Sequence, residues 1–222
     1  MQDSSQQNSP EFTPSRLWGL LSLGFPGLGQ LLGGQVRRAA WVLGTGTIIG
    51  LTSWLLGRVG GAGSGYFFGL VILLPWWCTQ AYAAYLPGIP SQWETIKIIG
   101  QKGHDIRFLG GLFLITAAMD LYIILANPEY GLTVFCSKPT GILGMVAKAQ
   151  SPLLHVIIGV GFVRLQRWAL WAYMVYAGFG LINATANFAC LGYGRIRTVF
   201  LISLLLFTLY VFLRKNSFYR RA

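Results

Sequence analysis

Acidic side chains are scarce in this chain: six Asp and Glu stand against 17 Lys and Arg in 222 residues, and charged residues of all kinds make up 10%. A soluble domain carries about 25% charged residues, so a water-soluble enzyme, a disordered chain and a coiled coil are excluded. Histidine occurs only twice. No GxGxxG, P-loop, HExxH or Ser-His-Asp arrangement stands in a usable context, and the expectation is a non-enzyme with no metal. The three cysteines form no metal-binding spacing. Cys78 and Cys190 lie in or at the end of apolar segments and Cys136 in a loop. The expectation is three free thiols, with a disulfide from Cys136 to a partner chain left open.

Apolar residues are abundant, at 54% of the chain. They gather in runs of the length that crosses a hydrocarbon core of about 30 Å. Six spans are predicted, at Ala39–Leu56, Tyr66–Leu86, Phe108–Ala126, Ser151–Val163, Trp168–Cys190 and Thr198–Leu213. The fourth is short and is expected to extend backward through Met145 to Gln150, with Pro152 tolerated by its neighbours. An earlier apolar stretch, Leu17 to Leu32, is broken by Phe25-Pro26-Gly27-Leu28-Gly29. Proline and glycine at its centre would leave backbone groups bare in lipid. A re-entrant helical hairpin is therefore expected, with Pro26, Gly27 and Gly29 at its turn. The fold class is all-α: a polytopic membrane bundle of this hairpin and about six transmembrane helices.

The net charge of +11 arises from basic residues set singly or in pairs between the apolar segments. No continuous stripe would follow a phosphate backbone, so nucleic acid is set aside in favour of topology signals and contacts to anionic lipid headgroups. Counting sides gives the topology. With the first stretch re-entrant and both termini inside, 12 Lys and Arg face the cytoplasm and five the exterior. If the stretch spans, Arg16 changes sides and the split is 11 against six. The expected location is a bacterial cytoplasmic membrane.

Five segments result. Residues 1–15 are Ser-, Gln- and Pro-rich and read as a disordered cytoplasmic tail, without the charged start or cleavage site of a signal peptide. Residues 16–86 hold the hairpin and two spans. Residues 87–107 form a cytoplasmic connection of amphipathic character, with Trp93, Ile96 and Gly100 on one face and Glu94, Lys97 and Gln101 on the other. Residues 108–213 form a four-span bundle, and 214–222 a basic cytoplasmic tail.

The segment LSLGFPGLGQLLGGQVRRAAWVLG, Leu21 to Gly44, resembles a pattern of small bacterial multi-span membrane proteins of unassigned role. There PGLGQ precedes an aromatic, a glycine, a basic pair and a second apolar span. Pro26, Gly27, Gly29, Gln30, Gly34, Arg37 and Arg38 match, while Leu31-Leu32 replaces the usual aromatic. The resemblance covers roughly a ninth of the chain and implies architecture only. The stretch GVGFVRLQRWALWAYMVY, Gly159 to Tyr176, looks like a common bacterial helical hairpin. Its basic turn snorkels to headgroups while Trp168 and Trp171 anchor the interface.

Of the six acids only Asp120 lies inside an apolar span. A carboxylate there costs about 3 kcal/mol unless paired or protonated. Thr116 and Asn127 share roughly its face. Asn183 and Asn187 form a polar stripe at a depth similar to that of Asp120, about 20 Å from the inner boundary at about 1.5 Å per residue. The expected cluster is thus Asp120 and Thr116 with Asn183 and Asn187. It is either an interhelical hydrogen bond or a proton- or cation-responsive site. His155 is the only histidine in a span. It is either a satisfied core histidine or the axial ligand of a tetrapyrrole. Gly46 and Gly50, four apart within a span, would admit a second helix closely, from this chain or another subunit. Packing chemistry abounds and reactive chemistry is nearly absent. The expectation is a non-catalytic subunit or scaffold of a larger membrane complex, with membrane lipids and other membrane subunits as partners. A small transporter or lipophilic-ligand-binding protein using Asp120, and a tetrapyrrole-binding subunit using His155, are the alternatives.

Overall fold

The computed structural model describes residues 16–86, 88, 90–129 and 131–219. The disordered tail expected for residues 1–15 and the last three residues of the basic tail lie outside them. The described residues are helical, with no named strand among them. Five helices are long and apolar enough to cross a membrane: Val36–Gly60, Ala62–Tyr85, His104–Ala126, Gly141–Val163 and Arg167–Leu191. A shorter apolar helix covers Thr198–Leu213. The expected membrane bundle is observed, and each predicted span lies within a helix, save that Leu86 just follows the second. Exposed Trp, Leu, Ile and Phe side chains cover these helices. That surface suits lipid as solvent and would aggregate in water.

Contacts divide the chain into two compact units, Met1–Ile99 and Gly100–Ala222.

In the first unit α1 (Arg16–Gly24) and α2 (Leu28–Leu32) are separated by a break at Phe25–Gly27. Gly27 takes a φ of 93°, which side chains rarely adopt. The two halves are tied by side chains: the Gly29 N–H donates to Ser22 Oγ at 2.8 Å, and Ser22 Oγ donates to Gln30 Oε1 at 3.2 Å. Gln30 Nε2 donates to the Gln80 carbonyl at 2.9 Å, and Trp77 Nε1 reaches the Ser22 and Leu23 carbonyls at 3.1 and 3.0 Å. The carbonyls freed by the break are thereby satisfied from α5 (Leu74–Tyr85). α3 (Val36–Gly60) follows. α4 (Ala62–Phe68) continues through a π-helical turn at Gly69–Leu73 into α5. Pro75 stands just beyond that turn; it has no N–H, and its ring excludes the carbonyl four residues back, a position a π turn tolerates. A Cβ on Gly46 of α3 would lie 2.8 Å from the Trp76 ring, so Gly46 admits a side chain of the same unit. Gly50 meets nothing within 4 Å. The expected pair therefore splits into one packed and one open glycine.

α6 (Gln92–Lys102) begins with a capping box. Ser91 N and Oγ each donate to Glu94 Oε2 at 2.9 Å, and Glu94 N donates back to Ser91 Oγ at 3.3 Å. These donors hold the Glu94 carboxyl below its usual range. Trp93 and Ile96 stay exposed, and Lys97 lies over the Trp93 ring at 5.5 Å.

The second unit holds α7 (His104–Ala126), α8 (Gly141–Val163), α9 (Arg167–Leu191) and α10 (Arg195–Leu213). The backward extension expected of the fourth span is present in α8 and runs further, to Gly141, with Pro152 inside it. α7 and α8 approach backbone to backbone. A Cβ on Gly110 would lie 2.7 Å from Val163 N, and one on Gly159 would lie 2.9 Å from Gly110 O. Ile106, Ile158, Phe162, Ala169, Tyr173 and Phe218 form the buried core.

The expectation of three free thiols is corrected: Cys136 and Cys190 form a disulfide across 54 residues, their Cα atoms 5.9 Å apart. Cys78 remains free. The pairing depends on where the 127–140 connection folds back, which spacing along the chain does not reveal.

Candidate functional site

Asp120 faces α8 from the C-terminal third of α7. Ser151 Oγ donates to Asp120 Oδ2 at 2.7 Å, and His155 Nδ1 meets the same oxygen at 2.9 Å. On the far side of the ring His155 Nε2 lies 2.8 Å from the Tyr176 hydroxyl of α9. A carboxylate only accepts, so an ionised Asp120 assigns the ring proton to Nδ1 and makes Nε2 the acceptor of the Tyr176 O–H. The four groups form one directed chain: Tyr176 donates to His155, His155 to Asp120, and Ser151 to Asp120.

The surroundings are aromatic. Phe113 stands 5.4 Å from the His155 ring, 6.0 Å from Tyr176 and 5.8 Å from Phe162, measured between centroids. His155 is 6% exposed, and the Asp120 side chain retains 25% exposure. An acid at this depth is tolerated because a hydroxyl and an imidazole meet one oxygen, replacing part of the lost hydration. Chemically the chain can accept a proton at His155 or Asp120 and shift the bonding without moving a backbone atom. No group of three His, Cys, Asp or Glu side chains that could hold a metal ion occurs among the described residues.

The expected cluster is rearranged. Asp120 does not meet the asparagines. Asn183 Oδ1 accepts from Phe135 N at 2.8 Å, and Asn187 Oδ1 accepts from Cys136 N at 2.7 Å. Thr116 donates to Leu112 O of its own helix. The partner is set by which helix α7 turns towards, and at Asp120 that helix is α8. Ser151 and His155 were the missed partners. Their spacing of four on a helix otherwise apolar there was the available signal. The tetrapyrrole reading of His155 fits the geometry poorly, because both ring nitrogens are engaged and an axial bond would have to displace Tyr176 or Asp120.

The asparagines serve a turn. Val134 and Ser137 exchange backbone hydrogen bonds of 2.8 and 3.0 Å around Phe135 and Cys136, both at positive φ (43° and 67°). Two non-glycine residues in that region are costly, of order 1–3 kcal/mol each, and persist only when held. Asn183, Asn187 and the disulfide to Cys190 hold them.

A second polar centre lies at the start of α7. Asp105 Oδ2 accepts from Tyr210 Oη at 2.7 Å and from Arg214 Nε at 2.6 Å, while Arg214 Nη2 also reaches the Gly100 carbonyl. The carboxylate raises the Arg214 guanidinium further above its usual range.

No family model, curated protein or solved structure matches the chain.

Proposed function

We propose that this integral membrane protein is a small, non-catalytic, proton-linked transporter or ligand-binding protein of the bilayer, worked by Asp120, His155 and Tyr176. The observation that carries the reading is the His155 imidazole, buried between α7, α8 and α9 and hydrogen-bonded by one nitrogen to a carboxylate and by the other to a phenol. A structural contact between helices needs one polar pair. A directed chain of three titratable groups in a hydrocarbon setting gives a proton somewhere to reside. The protein is read as lying in a bacterial cytoplasmic membrane with both termini inside and α1–α2 re-entrant. The basic residues support this, and so does the disulfide, which joins two stretches both assigned to the outer side, where oxidation persists.

The test is proton flux into proteoliposomes carrying a trapped pH-sensitive dye, under an imposed potassium diffusion potential. The wild-type chain should acidify or alkalinise the lumen. Asp120→Asn should reduce the rate at least about tenfold while its circular dichroism and detergent stability stay near wild type. Wild-type vesicles no leakier than protein-free ones, in the presence or absence of candidate solutes, would remove the proposal.

The second reading is a subunit or scaffold of a larger membrane complex. It is favoured by Gly50, Gly111 and Gly178, whose positions meet nothing within 4 Å and leave room for a further helix. Purification in mild detergent separates the two: a defined assembly without proton flux supports the second reading, and a monomer with flux the first.

A further inference from the structure

We propose a binding site for a phosphate-type anion at the mouth of the second unit, apart from the Asp120–His155 chain. A cavity of about 310 Å³ is lined by Gln101, Lys102, His104, Arg107, Leu165 and Ser217. Three of the six lining side chains are basic or become so on protonation, and none is acidic. The one carboxylate nearby along the chain, Asp105, is already committed to Arg214 and Tyr210.

One charged group of this cavity is left without a partner. Arg107 Nε is buried and makes no hydrogen bond among the described residues. Ser217 is 7% exposed and places its side chain in the lining of the same cavity. A buried donor left unpaired costs about 1–3 kcal/mol, so Arg107 Nε at this cavity calls for an acceptor. The chemistry of the lining says which kind. Lys102 and Arg107 supply positive charge, Ser217 a hydroxyl, and all would serve an oxyanion. The backbone adds to them. α7 begins at the cavity from Gly103, at a φ of 67°, with no side-chain cap, so its first N–H groups and the positive end of the helix dipole point the same way.

The floor is fixed by two left-handed residues in contact. Leu165, φ 52°, ends α8 while Gln166 N bonds Gly161 O at 2.9 Å. A Cβ on Gly103 would lie 3.0 Å from Leu165 Cδ1. Glycine at 103 therefore both permits the turn and leaves the opening its width. A phosphate monoester or diester is the class of ligand that fits, from an anionic lipid headgroup or from a free phosphate compound.

Binding to the detergent-solubilised full chain tests this, by native mass spectrometry and by ligand-induced thermal stabilisation. The probes are short-chain phosphatidylglycerol, phosphatidylcholine, and inorganic phosphate against chloride at matched ionic strength. Phosphatidylglycerol should bind in preference to phosphatidylcholine. Arg107→Gln should weaken it about thirtyfold and Ser217→Ala about fivefold, the loss expected for a charged and a neutral hydrogen bond. Arg37→Gln, at an exposed basic position of the other unit, should change it little. Stabilisation by inorganic phosphate, lost in the same two variants, would assign the site to a free phosphate compound; headgroup binding alone would assign it to lipid. If neither probe binds, or if Arg37→Gln weakens binding as much as Arg107→Gln, the site does not exist and the charges act only diffusely. Should Arg107→Gln misfold, Ser217→Ala alone decides, and unchanged affinity there overturns the proposal.

Discussion

The two units are built from similar helices yet keep different interiors. In the first, the buried polar residues are neutral: Ser22 donates to the Gln30 side chain, Gln30 donates to the Gln80 backbone carbonyl, and small residues let helices touch. In the second, the buried His155 joins the half-buried Asp120 and Tyr176, with a disulfide closing one end and the Asp105–Arg214 pair tying the other. A neutral amide in hydrocarbon only has to be satisfied, whereas a carboxylate and an imidazole can change state. Packing is common to both units; the linked carboxyl, imidazole and phenol groups lie in the second.

That contrast can be broken in stages. The largest effect is expected from the disulfide. Cys136→Ser with Cys190→Ser opens a covalent loop of 54 residues and should cost the second unit about 2–4 kcal/mol. Thermal unfolding in detergent would show it, together with faster proteolysis between residues 127 and 140. The melting of the first unit should not move. If it does, the two units are not independent.

A smaller effect, confined to the first unit, is expected from Gly29→Ala. The added methyl would strike the Trp18 carbonyl and lie 2.8 Å from Ala84 Cβ. Backbone and a tightly packed neighbour have little room to yield, so the cost should be about 1–3 kcal/mol. Gly50→Ala, with open space around it, should instead be neutral or stabilise α3 by about 0.5–1 kcal/mol. Equal melting temperatures for the two variants would show that the first unit is not held by close helix approach.

Much of the fold was legible because lipid imposes a length on every crossing segment. Run length located the helices, Pro26 and Gly27 located the break, and the shortness of the run after Ser151 required the backward extension of α8. The capping box at Ser91 and Glu94 is equally legible in its spacing. The site was only half legible. Asp120 and His155 each stood out as single polar residues in apolar runs, but nothing in either run says which way a helix is rotated. A change of about 100° per residue decides whether Asp120 meets α8 or α9. The disulfide was hidden for a related reason: the turn at Phe135 and Cys136 needs two residues in a conformation neither favours, and the groups that enforce it lie some 50 residues away.

The π turn at Gly69–Leu73 carries a consequence for the first unit. Such a turn accommodates one surplus residue while leaving the rods on either side in phase. Trp76 can therefore point at Gly46, and Gln80 can offer its carbonyl to Gln30, despite a residue too many for an ordinary spiral. The swelling is a slack link in an otherwise taut rope. A chain one residue shorter at this spot would keep both partnerships, whereas the same deletion past Pro75 would swing them out of line.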